Sequence, residues 1–302
     1  MFVSIARALR TQQLKPTVEM EMNDGNVRLL QIIVGCLYTA VPSVFLPVYL
    51  RIIYIFAKFK KYRSLECYQI MIQMGIAQCL AIAPPFVAFG LCLITYEDPF
   101  GIVNKIMKMY PSFLRTEACL GLVLALNRLK IFTGFGFRDC VQKLLSVISW
   151  LLGLTVLAFL CTPCCTYGIK PERMTTAFGS SHSSALFRRV ASYILVVPPL
   201  VSFVIYMVVI VVLMRRKIAF EKPKFREERF IFVYALTRVL CDVVFVSIYH
   251  FVNYPHIPQY DVTLMLLLEI STIGVPPMLY LALYKLELDG EVGYRDDELT
   301  YL

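Results

Sequence analysis

The chain has 302 residues, of which 58% are hydrophobic and 17% charged, with a formal net charge of +9 and a mean hydropathy of +0.67. A soluble domain usually has roughly 45–50% apolar and about 25% charged residues, so this chain has too little polar surface to coat a soluble globule and needs lipid as the solvent for the excess. Its basic residues stand in short runs beside apolar segments, as cytoplasmic loops and contact with anionic lipid require, and no motif supports nucleic acid as a partner.

A spanning helix needs about 20 mostly apolar residues, and seven stretches meet or approach that length. They are Leu29–Ala57, Cys67–Thr95, Tyr110–Phe132, Val141–Thr162, Val190–Met214, Phe230–Val252 and Val262–Tyr284. Apolarity runs nearly all round them, which fits a span better than a one-faced surface helix. The third is the weakest, because Arg115 and Glu117 interrupt it. The links are short and polar, the longest being Pro163 to Ser184. The expected fold class is an all-α membrane protein, a bundle of seven transmembrane helices spanning 29–285. A segment 1–28 precedes it and a tail 286–302 follows.

Sidedness follows from the basic residues. With this topology 17 Lys and Arg fall on one side and 11 on the other, which is expected to put the N-terminus outside and the tail in the cytoplasm. The first 28 residues hold no apolar run of signal-peptide length, so the first helix is expected to direct insertion. No Asn lies in a glycosylation sequon.

Ionisable groups within spans are costly and usually functional. Arg238 and Asp242 stand four residues apart on one face of the sixth helix, where they form either a structural pair or a switch contact. Arg115 and Glu117 in the third helix and Glu269 in the seventh either line an outer cavity or pair across helices. Tyr249 and His250 are ligand candidates or interfacial anchors. Asn127-Arg128 closes the third helix, where an arginine either snorkels to headgroups or couples to a cytoplasmic partner. Prolines at 42, 47, 84, 85, 198, 199, 276 and 277 each remove a backbone donor and bend a helix, which favours a bundle with an internal cavity. No HExxH, GxSxG, P-loop or GxGxxG occurs. Three scattered histidines suggest no metal site, and ten scattered cysteines show no zinc spacing. Neither an enzyme nor a cofactor is expected.

The order of short motifs resembles the nematode serpentine chemoreceptors, most closely class T, over nearly the whole chain. Cys67-Tyr68-Gln69-Ile70-Met71 and Gly75-Ile76 are similar to the family's Cys-Tyr-Lys-Ile-Met and Gly-Ile. Tyr110-Pro111 matches its Tyr-Pro, Leu126-Asn127-Arg128 its Ile-Asn-Arg, and Thr162-Pro163 its Thr-Pro-Pro. Gly274-Val275-Pro276 with Tyr280-Leu281 is similar to its Gly-Phe-Pro and Tyr-Leu. The resemblance implies a G-protein-coupled-receptor-like receptor for environmental small molecules, in the plasma membrane of sensory neurons or their cilia. It implies a heterotrimeric G protein as partner. It adds Tyr110 to the ligand candidates and gives Asn127 and Arg128 the coupling role, with Pro277 and Tyr280 in a Pro-x-x-Tyr switch. The family's usual cysteine two residues before Tyr-Pro is Lys108 here, so a substitute bridge would join Cys92 to Cys161, Cys164 or Cys165. Two other readings stay open: a small transporter or channel with Arg238, Asp242 and Glu269 on a polar path, and a receptor-like protein that does not signal.

Overall fold

The computed structural model describes residues 24–134, 139–179, 181–216, 232–233, 235–244 and 258–281. Short helices occupy the links at Lys60–Arg63 and Ile102–Met107, and among the described residues the chain forms seven main helical segments. They are α1 (Asp24–Lys58), α2 (Glu66–Thr95), α3 (Met109–Thr133), α4 (Asp139–Cys161) and α5 (His182–Arg216), then α6 (235–244) and α7 (Pro258–Glu269, continued through a π turn at Ile270–Gly274 and on to 281). Among the described residues, five helices are long and apolar enough to cross a membrane: Val27–Lys58, Glu66–Thr95, Cys140–Cys161, His182–Val212 and Gln259–Leu281. On α4 and α5 much of that apolar surface faces away from the protein, as at Leu144, Val147, Leu151, Val204 and Val208. A face of this kind is at home against acyl chains. The chain is an integral, multi-pass membrane protein.

Helix α3 is the central post, packed on α2, α4 and α5. Its polar residues explain its low apolarity: Ser112, Arg115, Thr116, Glu117, Asn127 and Arg128 are all buried inside the bundle rather than offered to lipid. Two apolar clusters fill the interior. One, at the end that carries a β-hairpin, includes Tyr38, Phe86, Phe89, Leu93, Met107 and Tyr110. The other, at the opposite end, includes Met71, Met74, Leu120, Leu124, Tyr206 and Phe232.

Two features extend beyond the sequence expectation. The polar stretch before Leu29 continues α1 outward by a turn, because Arg28 has work there: its guanidinium donates to the carbonyls of Leu93 (2.9 Å) and Ile94 (2.6 Å). Those are two of the orphan carbonyls at the end of α2, and a cation suits the negative end of the helix dipole. The long link after α4 folds into an antiparallel hairpin, β1 (Tyr167–Lys170) with β2 (Thr175–Phe178), pairing Tyr167 with Phe178 and Lys170 with Thr175. Aromatic and β-branched residues on both strands favour that pleated pair. The tight turn carries Met174 at φ 51. The hairpin is pinned to the bundle, since Tyr38 donates to Met174 O (3.2 Å) and Gln31 to Pro171 O (3.2 Å).

α1 and α2 meet backbone to backbone at two glycines. A Cβ on Gly35 would lie 2.7 Å from Gly90 O, and one on Gly90 would lie 2.5 Å from Gly35 O. Small residues at such a crossing let membrane helices approach closely. Gly90→Ala is therefore expected to destabilise the protein by about 2 kcal/mol through overpacking. Gly121→Ala, where an added Cβ meets nothing within 4 Å, leaves stability unchanged or slightly raised. Thermal unfolding of the two purified variants in detergent checks the contrast.

Candidate functional site

The site begins with two prolines. In a regular helix the Val275 N–H would bond Ser271 O, four residues back. Pro276 and Pro277 carry no N–H, and the chain accommodates them with a π turn in which Val275 N–H reaches back to Ile270 O. A single π turn of this kind often marks a functional site in a helix. It leaves Ser271 O without its helical donor. Arg238 on α6 takes that place, donating through Nη1 to Ser271 O (2.6 Å) and Ser271 Oγ (2.9 Å).

The rest of the guanidinium is held from the other side. Arg238 Nε donates to Glu117 Oε1 at 3.1 Å, and Nη2 donates to the same oxygen and lies 3.1 Å from Asp242 Oδ1. Glu117 Oε1 also accepts from Gln78 Nε2 (2.6 Å), and Gln78 Oε1 accepts from the Tyr49 hydroxyl. One continuous network thus joins α1, α2, α3, α6 and α7. Arg238 is 4% exposed, Glu117 3% and Gln78 0%, so these bonds form in a low dielectric, where they are strong and an unmet polar atom is costly; among the described residues Glu117 Oε2 is such an atom. The network lies between the two apolar clusters. Beside it is a cavity of about 20 Å³, lined by Met74, Gly121, Ser202 and Tyr206 among others. That is room for about one water.

The sequence candidates separate into groups. Glu117, Arg238 and Asp242 come together. Arg115, two residues from Glu117, turns the other way and donates to Ala191 O on α5 (2.9 Å) and to Pro111 O, so it ties α3 to α5. Tyr110 packs edge-on against Phe86, its hydroxyl 4.0 Å from Met265 Sδ on α7. Glu269, one helical turn beyond Met265, is fully buried, and among the described residues neither carboxylate oxygen has a hydrogen-bond partner. Tyr249 and His250 lie outside the described residues.

At the other end of α3, Arg128 is fully buried, enclosed by protein rather than extended towards headgroups. Its neighbour Asn127 donates to Glu66 Oε2 (3.4 Å), which also pairs with Lys130 (3.3 Å). Pro277 is buried, and Tyr280 packs edge-on against Phe56 of α1. Cys92, Cys161, Cys164 and Cys165 are free thiols, and no bridge joins Cys92 to the other three. Cys92 is buried in the packing of α2, while Cys161 and Cys164 point outward. Burial pushes the Cys165 thiol above its ordinary value, which keeps it protonated and a poor nucleophile. Among the described residues no cluster of His, Cys, Asp or Glu is arranged to hold a metal ion.

Tyr49, Gln78 and Ser271 are network members that sequence reasoning passed over. The signal for Gln78 was available: an amide in an apolar span seeks an interhelical partner.

No protein-family description and no curated protein matches the chain. Among solved structures it is similar to squid rhodopsin, with 12% sequence identity, a TM-score of 0.65, and coverage of 84% of this chain and 81% of that one. At that identity the likeness shows the fold: a seven-helix bundle of the rhodopsin type.

Gln78→Leu keeps the bulk of the side chain but removes its bonds to the Tyr49 hydroxyl and to Glu117. It is expected to cost about 2 kcal/mol. Gln69→Leu, on the exposed side of the same helix, loses only a solvent-exposed bond to Arg63 O and should change stability by less than about 1 kcal/mol. Equal melting temperatures for the two variants would contradict the role given to the network.

Proposed function

We propose that the chain is a chemosensory seven-helix receptor that detects an environmental small molecule and signals through a heterotrimeric G protein, as the resemblance to serpentine receptor class T implies. The observation that carries this reading is the buried link from Glu117 on α3 through Arg238 on α6 to the π turn of α7, in a bundle with the rhodopsin fold. A receptor needs an element with two arrangements that a ligand can bias, and this link has the parts for one.

In the proposed mechanism the ligand enters at the hairpin end and contacts α3 near Tyr110 and α7 near Glu269, with Tyr249 and His250 kept as further candidate contacts. Glu269 is two residues from Ser271. A ligand that shifts Glu269 strains the π turn and draws Ser271 O away from Arg238. Simple loss of the Arg238–Glu117 pair would cost about 3–5 kcal/mol, more than most differential ligand affinities supply. Asp242, already 3.1 Å from Nη2, lets the guanidinium exchange partners and stay paired. The required bias then falls into the range of about 1–3 kcal/mol typical of allosteric coupling. α6 is thereby released from α3, and the end of α3 bearing Asn127 and Arg128 becomes the coupling surface.

The proposed topology puts residues 1–28 outside the plasma membrane and 286–302 in the cytoplasm, where the basic run of Arg215–Arg229 also falls. A transport path through Arg238, Asp242 and Glu269 is less well supported. The first two are engaged in ion pairs, and the cavity they line has room for about one water.

Arg128→Ala is expected to abolish ligand-evoked G-protein activation while leaving surface expression intact, read by calcium imaging of expressing cells against a chemical panel. Undiminished responses in that variant would remove Arg128 from the coupling role. Flux of solutes through liposomes bearing the protein would favour the transporter.

A further inference from the structure

The hairpin end carries a second feature, separate from the interior network. Between the end of α4, the β-hairpin and the first turns of α5 lies an open cleft of about 960 Å³. Small-molecule sites run to roughly 300–1,000 Å³, so it is large enough for an organic ligand. Among the described residues its charged lining groups are Lys108, Lys170 and Arg188, and no acidic side chain joins them. Each comes from a different element. Lys108 stands at the start of α3, Lys170 ends β1, and Arg188 lies in the second turn of α5. None of the three side chains makes an ion pair or hydrogen bond among the described residues, and all are at least partly open to solvent. Glu172, two residues beyond Lys170 in the hairpin turn, is not among the lining residues, and Asp98, on the link before α3, is already held by Asn104 Nδ2 (2.8 Å) and Val103 N (2.9 Å).

The walls between the cations are not all polar. Tyr167 and Phe178 pack together there at 4.9 Å between ring centroids, and Phe178 continues into a pair with Phe187. Phe187 stacks on Phe159 of α4 at 4.7 Å, and Phe159 is 40% and Leu186 57% exposed. The cleft therefore offers positive charge and the rings of Tyr167 and Phe178 in its lining, and beyond that lining the aromatic chain continues through Phe187 and Phe159 onto the apolar surface of α4 and α5. Three like charges with no counter-ion repel one another and raise the local positive potential, and an anion relieves both.

We propose that this cleft is a binding site for an amphiphilic anion, whose carboxylate or phosphate head is held by Lys108, Lys170 and Arg188 and whose apolar part lies along Phe178, Phe187 and Phe159. The same chemistry is offered by a soluble organic acid and by the headgroup of an anionic lipid. The site is independent of whether the chain signals, since its test reads binding alone.

The test uses the full-length protein in nanodiscs of phosphatidylcholine, titrated with octanoate and, as a charge control, octyltrimethylammonium, with bound ligand read by calorimetry. Saturable binding of octanoate but not of the cation is expected. Lys108→Gln and Arg188→Gln should each weaken it about five-fold, as the loss of about 1 kcal/mol of charge interaction implies, and Arg188→Lys should largely restore it. A parallel arm replaces part of the lipid with phosphatidylserine. If the lipid headgroup is the natural occupant, it displaces octanoate from the unaltered protein. If it leaves octanoate binding unchanged, a soluble acid is the occupant. Absence of saturable octanoate binding to the unaltered protein overturns the proposal. So does equal binding of both octyl ligands, or anion binding unchanged in the Lys108→Gln, Lys170→Gln, Arg188→Gln triple variant.

Discussion

A guanidinium buried in an apolar bundle must have its N–H groups satisfied, and the fold around Arg238 is arranged to do so. Moving such an ion out of water costs several kcal/mol even after relaxation. Glu117 supplies the opposing charge and Gln78 fixes that carboxylate from behind. Ser271 supplies a carbonyl that is available only because α7 abandons its regular hydrogen-bond register ahead of Pro276. These requirements come from five helices, so the position of each constrains the others. The apolar clusters above and below give the bulk of the packing, but non-directional burial does not fix how one helix is rotated against the next. The network does.

Much of the fold was legible in the sequence, for a plain reason. Lipid imposes one rule on the backbone, that its polar groups be satisfied within helices, and long apolar runs such as Val190–Met214 state it directly. The polar residues of α3 made that helix look weak as a span. The structure turns the same observation into evidence of centrality, since a helix surrounded by protein tolerates Arg115, Glu117 and Arg128 where one facing lipid would not. What was not legible was partnership. Arg238 and Asp242 announce themselves by spacing on one helix. That Arg238 also reaches Glu117, 121 residues away, and a backbone carbonyl on α7 depends on helix rotation and on a π turn that the paired prolines permit but do not spell out. Arg115 and Glu117 looked alike in the sequence, yet two residues on a helix are about 200° apart, so one turned to α5 and the other to the centre. The hairpin was missed because four-residue strands carry too little periodicity to stand out from a polar link.

In the proposed receptor, the same network that stabilises the resting bundle is what a ligand has to rearrange. Stability and switching then draw on one set of bonds, and Asp242 matters because it offers the guanidinium a second carboxylate on its own helix. A protein that used an apolar contact in place of Arg238 would hold its helices together equally well but would lack two discrete partners to choose between.

The central claim is that Glu117 and Arg238 act as one unit across α3 and α6. A double-mutant cycle tests it most directly, with Glu117→Gln, Arg238→Met and the two combined, each scored by apparent unfolding free energy of the purified protein in detergent. The account predicts that the double variant loses markedly less stability than the two single losses added together, with a coupling energy of at least about 1 kcal/mol, as for residues in one ion-pair network. Losses that add to within about 0.5 kcal/mol, as for independent sites, would contradict it.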